Sequence, residues 1–564
     1  MLLLTEFTNC RVIDPTQTEF TSSDGQLRSV WVDGERVVAC PKSNVPDRQE
    51  DLAGAIVMAG GIDLHTHIGG GKVNLARLLM ADQSLRGPRD ATRAADAAGC
   101  VWPTVLNGQL YAQMGYTACF EPAMMLSQAR HTHLELADTP VLDTGAYVLL
   151  GNEDWMLEAL GRGIDDARLR CLIAWSVRAS QALAVKVVNP GGISAFKFNE
   201  RELAVDQPHP AYGVTPRDVI RRLTAAVDEL GLAHPLHVHA SNLGVPGNVA
   251  ATLATLEAAE GRRIHLTHAQ FNCYSGPFSD ADVGYAMGSG AERLSRYVNQ
   301  HTNVTLDVGQ VVFGQTVTVS ADAAAQFRNR VHARPRRWII SDVECQAGCG
   351  VVPMLYSDKN YVHSLQWTIG LELLLLIDDP WRVFLTTDHP NGGPFTSYPH
   401  LIRLLMDRTF RQSMLATIHP QAASRSLLRE LDRQYTLDEI AIITRAAPAR
   451  ILGLEDSGSL RPGMRADMVA YAIKDDWEAT FTRAALLLKN GREVVRNGQV
   501  IDVSANKRTF TARPEFDPAD FGPWSTSIEQ WLHLPSQSLE ISSDELAAMR
   551  DVSVPQATSV RRRR

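Results

Sequence analysis

The middle of the chain repeats one pattern, in which a short apolar run typical of a strand is followed by a segment with helical periodicity. The clearest helical segment is TPRDVIRRLTAAVDELG, where Thr215 can cap the helix, Pro216 suits its first position and Gly231 can end it. The strand-like runs include ISAFKFN, PLHVHAS, RIHLTHAQ, NVTLDVGQVVF and WRVFLTTDH. Because alternating strands and helices favour a parallel sheet, we predict an α/β fold with a (β/α)8 TIM-like barrel over residues 59–454, enlarged by insertions.

The two ends of the chain carry a different pattern, short strands joined by tight turns. VWVDGERVVAC (30–40) alternates around an Asp-Gly turn, and ADMVAYAI (466–473), ALLLKNGREVVRNGQVI (485–501) and KRTFTAR (507–513) are also strand-like. We therefore predict one small β-sandwich domain composed of residues 1–58 and 455–515. The remaining residues, 516–564, become polar and finish in four arginines, so we expect a largely irregular extension. Those arginines could bind a polyanion or simply be solvated.

Composition excludes several classes of protein. A net charge of −8 and a pI of about 6.1 do not suggest nucleic-acid binding. Apolar stretches are too short or too interrupted by charge to cross a membrane, and the apolar start lacks the basic segment of a signal peptide. Eight sparse cysteines are typical of free thiols in the reducing cytoplasm, where we expect the protein. Cys345 and Cys349 could form half of a metal site, but no second pair has ligand spacing.

One stretch near the start of the predicted barrel, GIDLHTHIGGGK (61–72), places two histidines with a single residue between them. In a strand, residues two apart point to the same side, so His65 and His67 would project together. Two neutral imidazoles side by side suit a divalent metal ion. A pair of surface or hydrogen-bonded core histidines would give the same pattern, so further ligands must come from elsewhere in the chain.

Other predicted strand ends carry further metal-binding residue types, and chemistry in such barrels collects at the carboxyl ends of the strands. These residues are Lys197, His237, His239, His265, His268 and Asp388. Lys197 lies between two phenylalanines, where a buried ammonium is costly unless it is paired or neutralised. A neutral lysine amine can react with carbon dioxide, and the resulting carbamate can bridge two metal ions.

This order of residues, together with DLAGAIVMAGGIDLHTHI, resembles the amidohydrolase superfamily of binuclear metal hydrolases. Four longer motifs sharpen the resemblance: VKVVNPGG (185–192), HPLHVHASNLGVPGN (234–248), HLTHAQFNCYSG (265–276) and TTDHPNGGPFTSYP (386–399). They are similar to the A subunits of formylmethanofuran dehydrogenases and of the formyltransferase/hydrolase complexes of methylotrophic bacteria. The resemblance runs over most of residues 1–515.

The resemblance implies two zinc ions, with ligands His65, His67, Lys197, His239, His268 and Asp388. The first two histidines and the aspartate would hold one ion, the later two histidines would hold the other, and carboxylated Lys197 would bridge them. Asp388 would also be the catalytic residue that moves a proton from the attacking water to the leaving nitrogen. His237 could support a ligand from behind or contact the substrate, whereas we expect His265 to be structural and His389 to pack beside the site or support a ligand.

The resemblance also implies the reaction and the partners. A formylated methanofuran-type carrier would be hydrolysed to formate in one-carbon metabolism, and the chain would act with the other subunits of a hetero-oligomeric formyltransferase/hydrolase complex. Three alternatives stay open: the A subunit of a molybdenum or tungsten formylmethanofuran dehydrogenase, a stand-alone hydantoinase- or dihydroorotase-like enzyme, and a degenerate scaffold protein of the complex. The basic stretch HARPRRW (332–338) and the pair Arg221–Arg222 could hold an anionic carrier or be solvated faces.

Overall fold

The computed structural model describes residues 3–18, 20–21, 25–42, 45–84, 100–276, 287–341, 348–550 and 556–557. The possible half-site at Cys345 and the four terminal arginines therefore lie outside the described residues. Within them the strands are β1 (Leu4–Val12), β2 (Arg28–Asp33), β3 (Arg36–Val38), β4 (Arg48–Asp51), β5 (Ile56–Ala59), β6 (Gly61–Asp63), β7 (Tyr116–Met124), β8 (Asp143–Leu149), β9 (Ala184–Val188), β10 (Leu236–His239), β11 (Ile264–Leu266), β12 (Tyr274–Ser275), β13 (Gly288–Ser289), β14 (Val304–Asp307), β15 (Gly314–Ser320), β16 (Ile339–Ser341), β17 (Cys349–Tyr356), β18 (Val383–Phe384), β19 (Met468–Tyr471), β20 (Leu486–Lys489), β21 (Arg492–Arg496), β22 (Gln499–Val500), β23 (Thr509–Ala512) and β24 (Gln556–Ala557).

The α-helices of the same residues are α1 (Gly71–Leu79), α2 (Ala81–Ser84), α3 (Thr104–Gln113), α4 (Ala129–Ala137), α5 (Asp154–Gly161), α6 (Asp166–Ala179), α7 (Gly192–Ala195), α8 (Pro216–Glu229), α9 (Val249–Glu257), α10 (Ala291–Gln300), α11 (Ala323–Asn329), α12 (Tyr361–Leu376), α13 (Tyr398–Met406), α14 (Arg408–Leu415), α15 (Pro420–Arg425), α16 (Leu437–Ala441), α17 (Ala447–Leu452), α18 (Trp477–Phe481), α19 (Pro518–Leu532) and α20 (Ser543–Arg550). None of them is both long and apolar enough to cross a membrane.

Eight parallel strands form the barrel, in the order β6, β7, β8, β9, β10, β11, β14 and β18. The first and last strands meet just beyond their ends, where Thr66 and His389 form a parallel bridge. At this seam the backbone N–H of His67 donates to the carbonyl of His389 over 2.7 Å. The predicted (β/α)8 barrel is confirmed.

Helices cover the barrel because each buries one apolar face on the strands. In α8, Leu223 is fully buried, and so are Leu172 of α6 and Val187 of β9 in the same core. Thr215 caps α8 as predicted, because its side chain accepts from the backbone N–H of Asp218. The barrel strands are buried on both faces, as expected for a parallel sheet covered by helices.

A second sheet combines strands from both ends of the chain. Its nine strands are β1–β5 and β19–β22, and β5 joins the two sets by pairing with β1 and with β19. The exact domain limits, 1–58 and 455–515, stay a prediction. One part of that prediction is wrong: KRTFTAR forms β23, which pairs with β8 at the barrel instead of joining the composite sheet.

A small antiparallel sheet is inserted after β14. Strand β17 pairs with β15 on one side and with β16 on the other. The insertion lies at the carboxyl end of the barrel, because the backbone N–H of Val319 in β15 donates to the side chain of Asn391, three residues after Asp388. It therefore forms one wall above the strand ends.

The C-terminal extension is more ordered than its composition predicts. Helices α19 and α20 pack on the barrel's outer helices, and Trp524 and Ile528 of α19 are buried. The Trp524 indole donates to the carbonyl of Arg168, and Phe521 stacks on Trp175 with ring centroids 4.4 Å apart. The expectation of a largely irregular extension is therefore wrong for residues 518–550.

Candidate metal centre

Two histidines and one aspartate meet at the carboxyl end of the barrel. His65 and His67 follow β6, and Asp388 follows β18 across the seam. Asp388 Oδ1 lies 2.9 Å from His65 Nε2 and 3.2 Å from His67 Nε2. All three side chains are buried. The structure thus brings together the first predicted group of ligands.

The second group lies beside the first. His239 ends β10 and His268 follows β11, and their rings are almost perpendicular with centroids 4.7 Å apart. The ring centroid of His268 is 5.7 Å from that of His65. Lys186, on the neighbouring strand β9, is buried and lines the same cavity as His67, His239 and His268. The predicted histidines and aspartate therefore form one cluster, with a lysine beside it.

The lysine of this cluster is not the predicted one. Lys197 lies in a short 3-10 turn, Phe196–Phe198, and its Nζ donates to Asp154 Oδ2 at 2.5 Å. The segment is not a strand, because left-handed residues at Gly191 and Asn199 enclose a helical turn between them. The prediction that Lys197 belongs to the metal site is wrong, and Lys186 on the true strand β9 occupies that place.

Tight turns after the strands position the candidate ligands His268 and Asp388. His268 has φ of 34° and Asp388 has φ of 49°, both in the left-handed region that few side chains adopt. Gly309 lies against both of them: a Cβ on this glycine would be 2.4 Å from the Cβ of His268 and 3.4 Å from that of Asp388. Its own φ is +64°. A glycine is needed there for space and for conformation.

Two buried carboxylates orient the first pair of histidines. His67 Nδ1 is 2.7 Å from Glu121 Oε1, and His65 Nδ1 is 3.2 Å from Asp307 Oδ2. Asp307 also accepts from Thr386 Oγ1 over 2.8 Å. Such contacts fix the ring orientation and turn Nε2 toward a metal ion. Neither carboxylate was predicted from the sequence, although each is the one charged residue of its strand, within β7 for Glu121 and at the end of β14 for Asp307.

The four remaining histidines of the motifs lie outside the cluster: His234, His237, His265 and His389. His237 Nε2 is 3.3 Å from His65 Nδ1, so His237 lies behind that ring, deeper in the barrel. His265 contacts Asp307 at 3.1 Å, also in the interior. His389 stacks on Trp102 with ring centroids 5.8 Å apart, which is the packing position expected for it.

Burial and mutual attraction set the charges of the cluster. Burial lowers the pKa of His268 well below its usual value, and it lowers the pKa of Lys186 against the opposing effect of Asp388. Burial would raise the pKa of Asp388, but His65 and His67 hold it well below its ordinary value. Burial likewise lowers the pKa of His65, yet Asp307 and Asp388 outweigh it and raise this pKa to about 9. A cation at Asp388 would compete with that proton.

Comparison with known proteins matches residues 48–502 to the model of the Amidohydrolase family. The chain belongs to this amidohydrolase family. The resemblance seen in its motifs is therefore confirmed, and the chain is a member of a hydrolase family.

Two curated relatives cover most of this amidohydrolase. The A subunit of the formyltransferase/hydrolase complex Fhc from Methylorubrum extorquens is 45% identical over 501 residues, which are 88% of this chain and 89% of the relative. Protein FwdA from Methanocaldococcus jannaschii is 38% identical over 498 residues, 83% of this chain and 86% of the relative.

A solved structure extends the likeness to three dimensions. It is the X-ray structure of the formyltransferase/hydrolase complex FhcABCD from Methylorubrum extorquens in complex with methylofuran. One of its chains matches with a TM-score of 0.89 and 41% identity, covering 99% of this chain and 100% of that one.

The donor atoms of this amidohydrolase fit a metal ion. Among the described residues, His65 Nε2, His239 Nε2 and Asp388 Oδ1 are buried without a partner in hydrogen-bonding geometry. Two ligands on a tetrahedral zinc ion, at roughly 2.1 Å each, are about 3.4 Å apart. The 3.2 Å between His67 Nε2 and Asp388 Oδ1 is close to that separation. Neutral imidazoles and an ionised carboxylate are the ligands of a borderline divalent cation.

A cavity of about 550 Å³ opens above the cluster. Its floor includes Lys186, His239 and Asp388, and its walls come from the inserted sheet and from loops. Wall residues include Lys72, Phe271, Tyr274, Gln326, Met354 and Tyr356. A mostly apolar cavity of this size accommodates an extended organic ligand with its reacting group at the floor.

Proposed function

We propose that this amidohydrolase releases formate from an N-formylated methanofuran-type carrier, as the hydrolytic component of a cytoplasmic formyltransferase/hydrolase complex. The observation that carries the proposal is the cluster of four histidines, Asp388 and Lys186 beneath a ligand-sized cavity, which most of these residues line. The 45% identity to the A subunit of Fhc, and the relative's structure with methylofuran, support this substrate over the cyclic amides and over the dehydrogenase that the sequence left open.

The residues of the cluster would hold two zinc ions. His65, His67 and Asp388 would bind one, and His239 with His268 would bind the other. Lys186, carboxylated on its amine, would bridge them, because its lowered pKa favours the neutral amine that reacts with carbon dioxide. When bound, such ions acidify a water molecule and polarise a carbonyl.

The chain's own groups would supply orientation and proton transfer. Asp388 Oδ1 faces the two imidazoles, which leaves Oδ2 to take a proton from the attacking water and to pass it to the amide nitrogen as the C–N bond breaks. The products are formate and the free amine of the carrier. Glu121 and Asp307 keep the imidazoles of His67 and His65 in place, while the aromatic walls shield the reacting group from bulk water.

An assay of the purified complex tests the proposal. We expect formate release from the formylated carrier, and a loss of about 10²–10⁴-fold in kcat in the Asp388→Asn variant, because the asparagine cannot carry the proton. His265→Gln, behind the cluster, serves as a control for disturbance of the barrel interior. Unchanged turnover by the Asp388→Asn variant, or no formate release by the wild-type complex, would refute the proposed function.

A further inference from the structure

A fourth acidic side chain, in addition to Asp388, Glu121 and Asp307, faces the cluster from outside the barrel strands. Asp322 lies in the connection between β15 and α11, within the inserted segment, and is fully buried. Its neighbour in the cluster is His239, at the end of β10. An insertion that forms the cavity wall therefore also reaches the second pair of histidines.

The two carboxylate oxygens of Asp322 have different surroundings. Oδ1 accepts a hydrogen bond from the backbone N–H of Ala325 over 2.9 Å and so caps α11. Oδ2 is 3.3 Å from His239 Nε2, and neither of these two buried atoms has a partner in hydrogen-bonding geometry within the described part of the chain. One oxygen is thus satisfied by the backbone, whereas the other points at an imidazole nitrogen that is not satisfied either.

The separation of these two atoms is that of two ligands on one ion. Zinc–nitrogen and zinc–oxygen distances of roughly 2.1 Å give about 3.4 Å between two donors in a tetrahedral arrangement. His239 Nε2 and Asp322 Oδ2 are 3.3 Å apart, much as His67 Nε2 and Asp388 Oδ1 are 3.2 Å apart. A nitrogen that binds a metal cannot also donate a proton, so Oδ2 would be left buried without a donor unless it contacts the same cation.

We propose that Asp322 is a ligand of the second divalent cation, completing the half-site of His239 and His268. The inference rests on the two-ion centre described under the proposed function. The second ion would then be held by barrel strands and by the inserted sheet together, so that binding of the ion fixes the cavity wall against the barrel floor. Because Asp322 is an anion, it would raise the affinity of this half-site and offset the charge of the cation.

Metal titration of the purified complex tests this role without using activity. After removal of metal, zinc content and affinity are measured for the wild type and for Asp322→Asn. Asparagine preserves the cap of α11 through its single oxygen, but it places an amide NH2 toward His239 and so removes the anionic ligand. We expect two ions in the wild type, and in the variant one tight ion and a second whose affinity falls at least about 10-fold. Asp407→Asn, which changes the cap of α14, is the matched control and should keep both ions.

Different outcomes separate this inference from the proposed centre. A wild type that binds fewer than two ions overturns the binuclear centre and the inference with it. A wild type with two ions, together with an Asp322→Asn variant that binds both with unchanged affinity, overturns the inference alone and leaves Asp322 as a hydrogen-bond partner of His239.

Anomalous scattering at the zinc edge provides a test that needs no variant. In crystals of the wild-type complex we expect the second zinc ion within about 2.0–2.2 Å of an Asp322 carboxylate oxygen. A second ion more than about 3 Å from both oxygens of Asp322 lies outside ligand distance and would overturn the inference.

Discussion

A lysine buried at the floor of a cavity must be paired, neutral or modified, because an isolated ammonium is costly to desolvate. Lys186 is 2% exposed and lies close enough to Asp388, Asp307 and Glu121 for their charges to affect its pKa. Lys197, in contrast, is partly exposed and has a direct carboxylate partner in Asp154. Lys197 is thus stabilised as a cation by its ion pair, whereas burial of Lys186 favours its neutral form.

Exchanging each lysine for alanine distinguishes their roles. We expect Lys186→Ala to lose most of the bound zinc, because the bridging carbamate can no longer form, and a short carboxylic acid added to the buffer to restore part of it. Lys197→Ala should keep its zinc and lose only the ion pair with Asp154. Elemental analysis of both variants checks this, and equal zinc contents would contradict it.

The buried side chain of Lys72 leads us to predict that the stability of the protein rises with pH in the alkaline range. This side chain donates to the carbonyl of Ala123, and burial lowers its pKa from 10.5 to about 8. Between these two values the unfolded chain binds more protons than the folded chain, so stability rises with pH across that window. Below pH 8 the folded protein bears the full cost of burying the charged Lys72 ammonium, which lowers the free energy of unfolding by about 3 kcal/mol at most.

Methionine at this position keeps the apolar stem and removes the charge. We expect Lys72→Met to be more stable than the wild type at pH 7 by about 1–2 kcal/mol, after the lost hydrogen bond is subtracted. The advantage should disappear near pH 10. Thermal unfolding at both pH values measures it, with the exposed Lys359→Met as control. The same difference at both pH values would show that the Lys72 charge is not the cause.

The sequence patterns correctly predicted that histidines, an aspartate and a lysine come together, but they did not show which lysine is at the cluster. His65, His67 and Asp388 could be found because each follows a strand-like run directly. The two lysines could not be separated, because both lie among apolar residues before the PLHVHAS strand. Only the backbone resolves the choice: a glycine and an asparagine in left-handed conformations make the second run a turn.

At the scale of elements, the site depends on the turns that follow the strands. Each proposed histidine or aspartate ligand from the barrel lies just past a strand end or at its last residue, whereas Lys186 lies within β9. For the former, the strand fixes the position and the turn fixes the direction. Asp307, at the end of β14, contacts the imidazole of His65, and Glu121, within β7, contacts that of His67, so each carboxylate fixes the orientation of one ring. Apolar runs in the sequence locate the strand ends, but they do not show which carboxylates near those ends face inward.

A substitution at Gly309 tests whether the close contact between this residue and His268 is needed for the site. In Gly309→Ala the new methyl group would overlap His268, and the backbone would hold an unfavourable positive φ. We expect a loss of about 2–3 kcal/mol in stability and a fall in zinc content, because His268 must move. Gly163→Ala is a matched control, since Gly163 has φ of +74° and open space around its Cβ position.

Thermal unfolding and elemental analysis of the two glycine variants separate the causes. The control should lose about 1 kcal/mol from backbone strain alone and keep its zinc. If Gly309→Ala behaves like the control in both measurements, the contact with His268 does not constrain the site.

At the scale of the whole molecule, the two chain ends are attached to the barrel in different ways. The composite sheet uses strands from both ends, which the alternating patterns and turn dipeptides made predictable. The docking of α19 and α20 was not predictable, because a short amphipathic helix does not reveal its partner surface. The same limit explains β23, whose own pattern shows a strand but not the neighbour β8 with which it pairs.

The extension contributes to stability through a few buried side chains. We expect Trp524→Ala to lower stability by about 3 kcal/mol, because it leaves a cavity beside Trp155 and removes the hydrogen bond to Arg168. Trp531→Ala, on the same helix but 40% exposed, is the control and should change stability little. Chemical unfolding of both variants checks this, and similar losses would mean that the extension is not docked through Trp524.

The seam between the first and last barrel strands has one further consequence. Thr66 and His389 join the two edges, and the residues beside them, His65, His67 and Asp388, come from opposite sides of that joint. An ion bound by all three residues would cross-link the first and last strands of the barrel. Because these residues come together only when the barrel closes, the ion would be retained only by a closed barrel, and it would in turn oppose separation of the two strands. Metal binding and barrel closure would therefore be coupled.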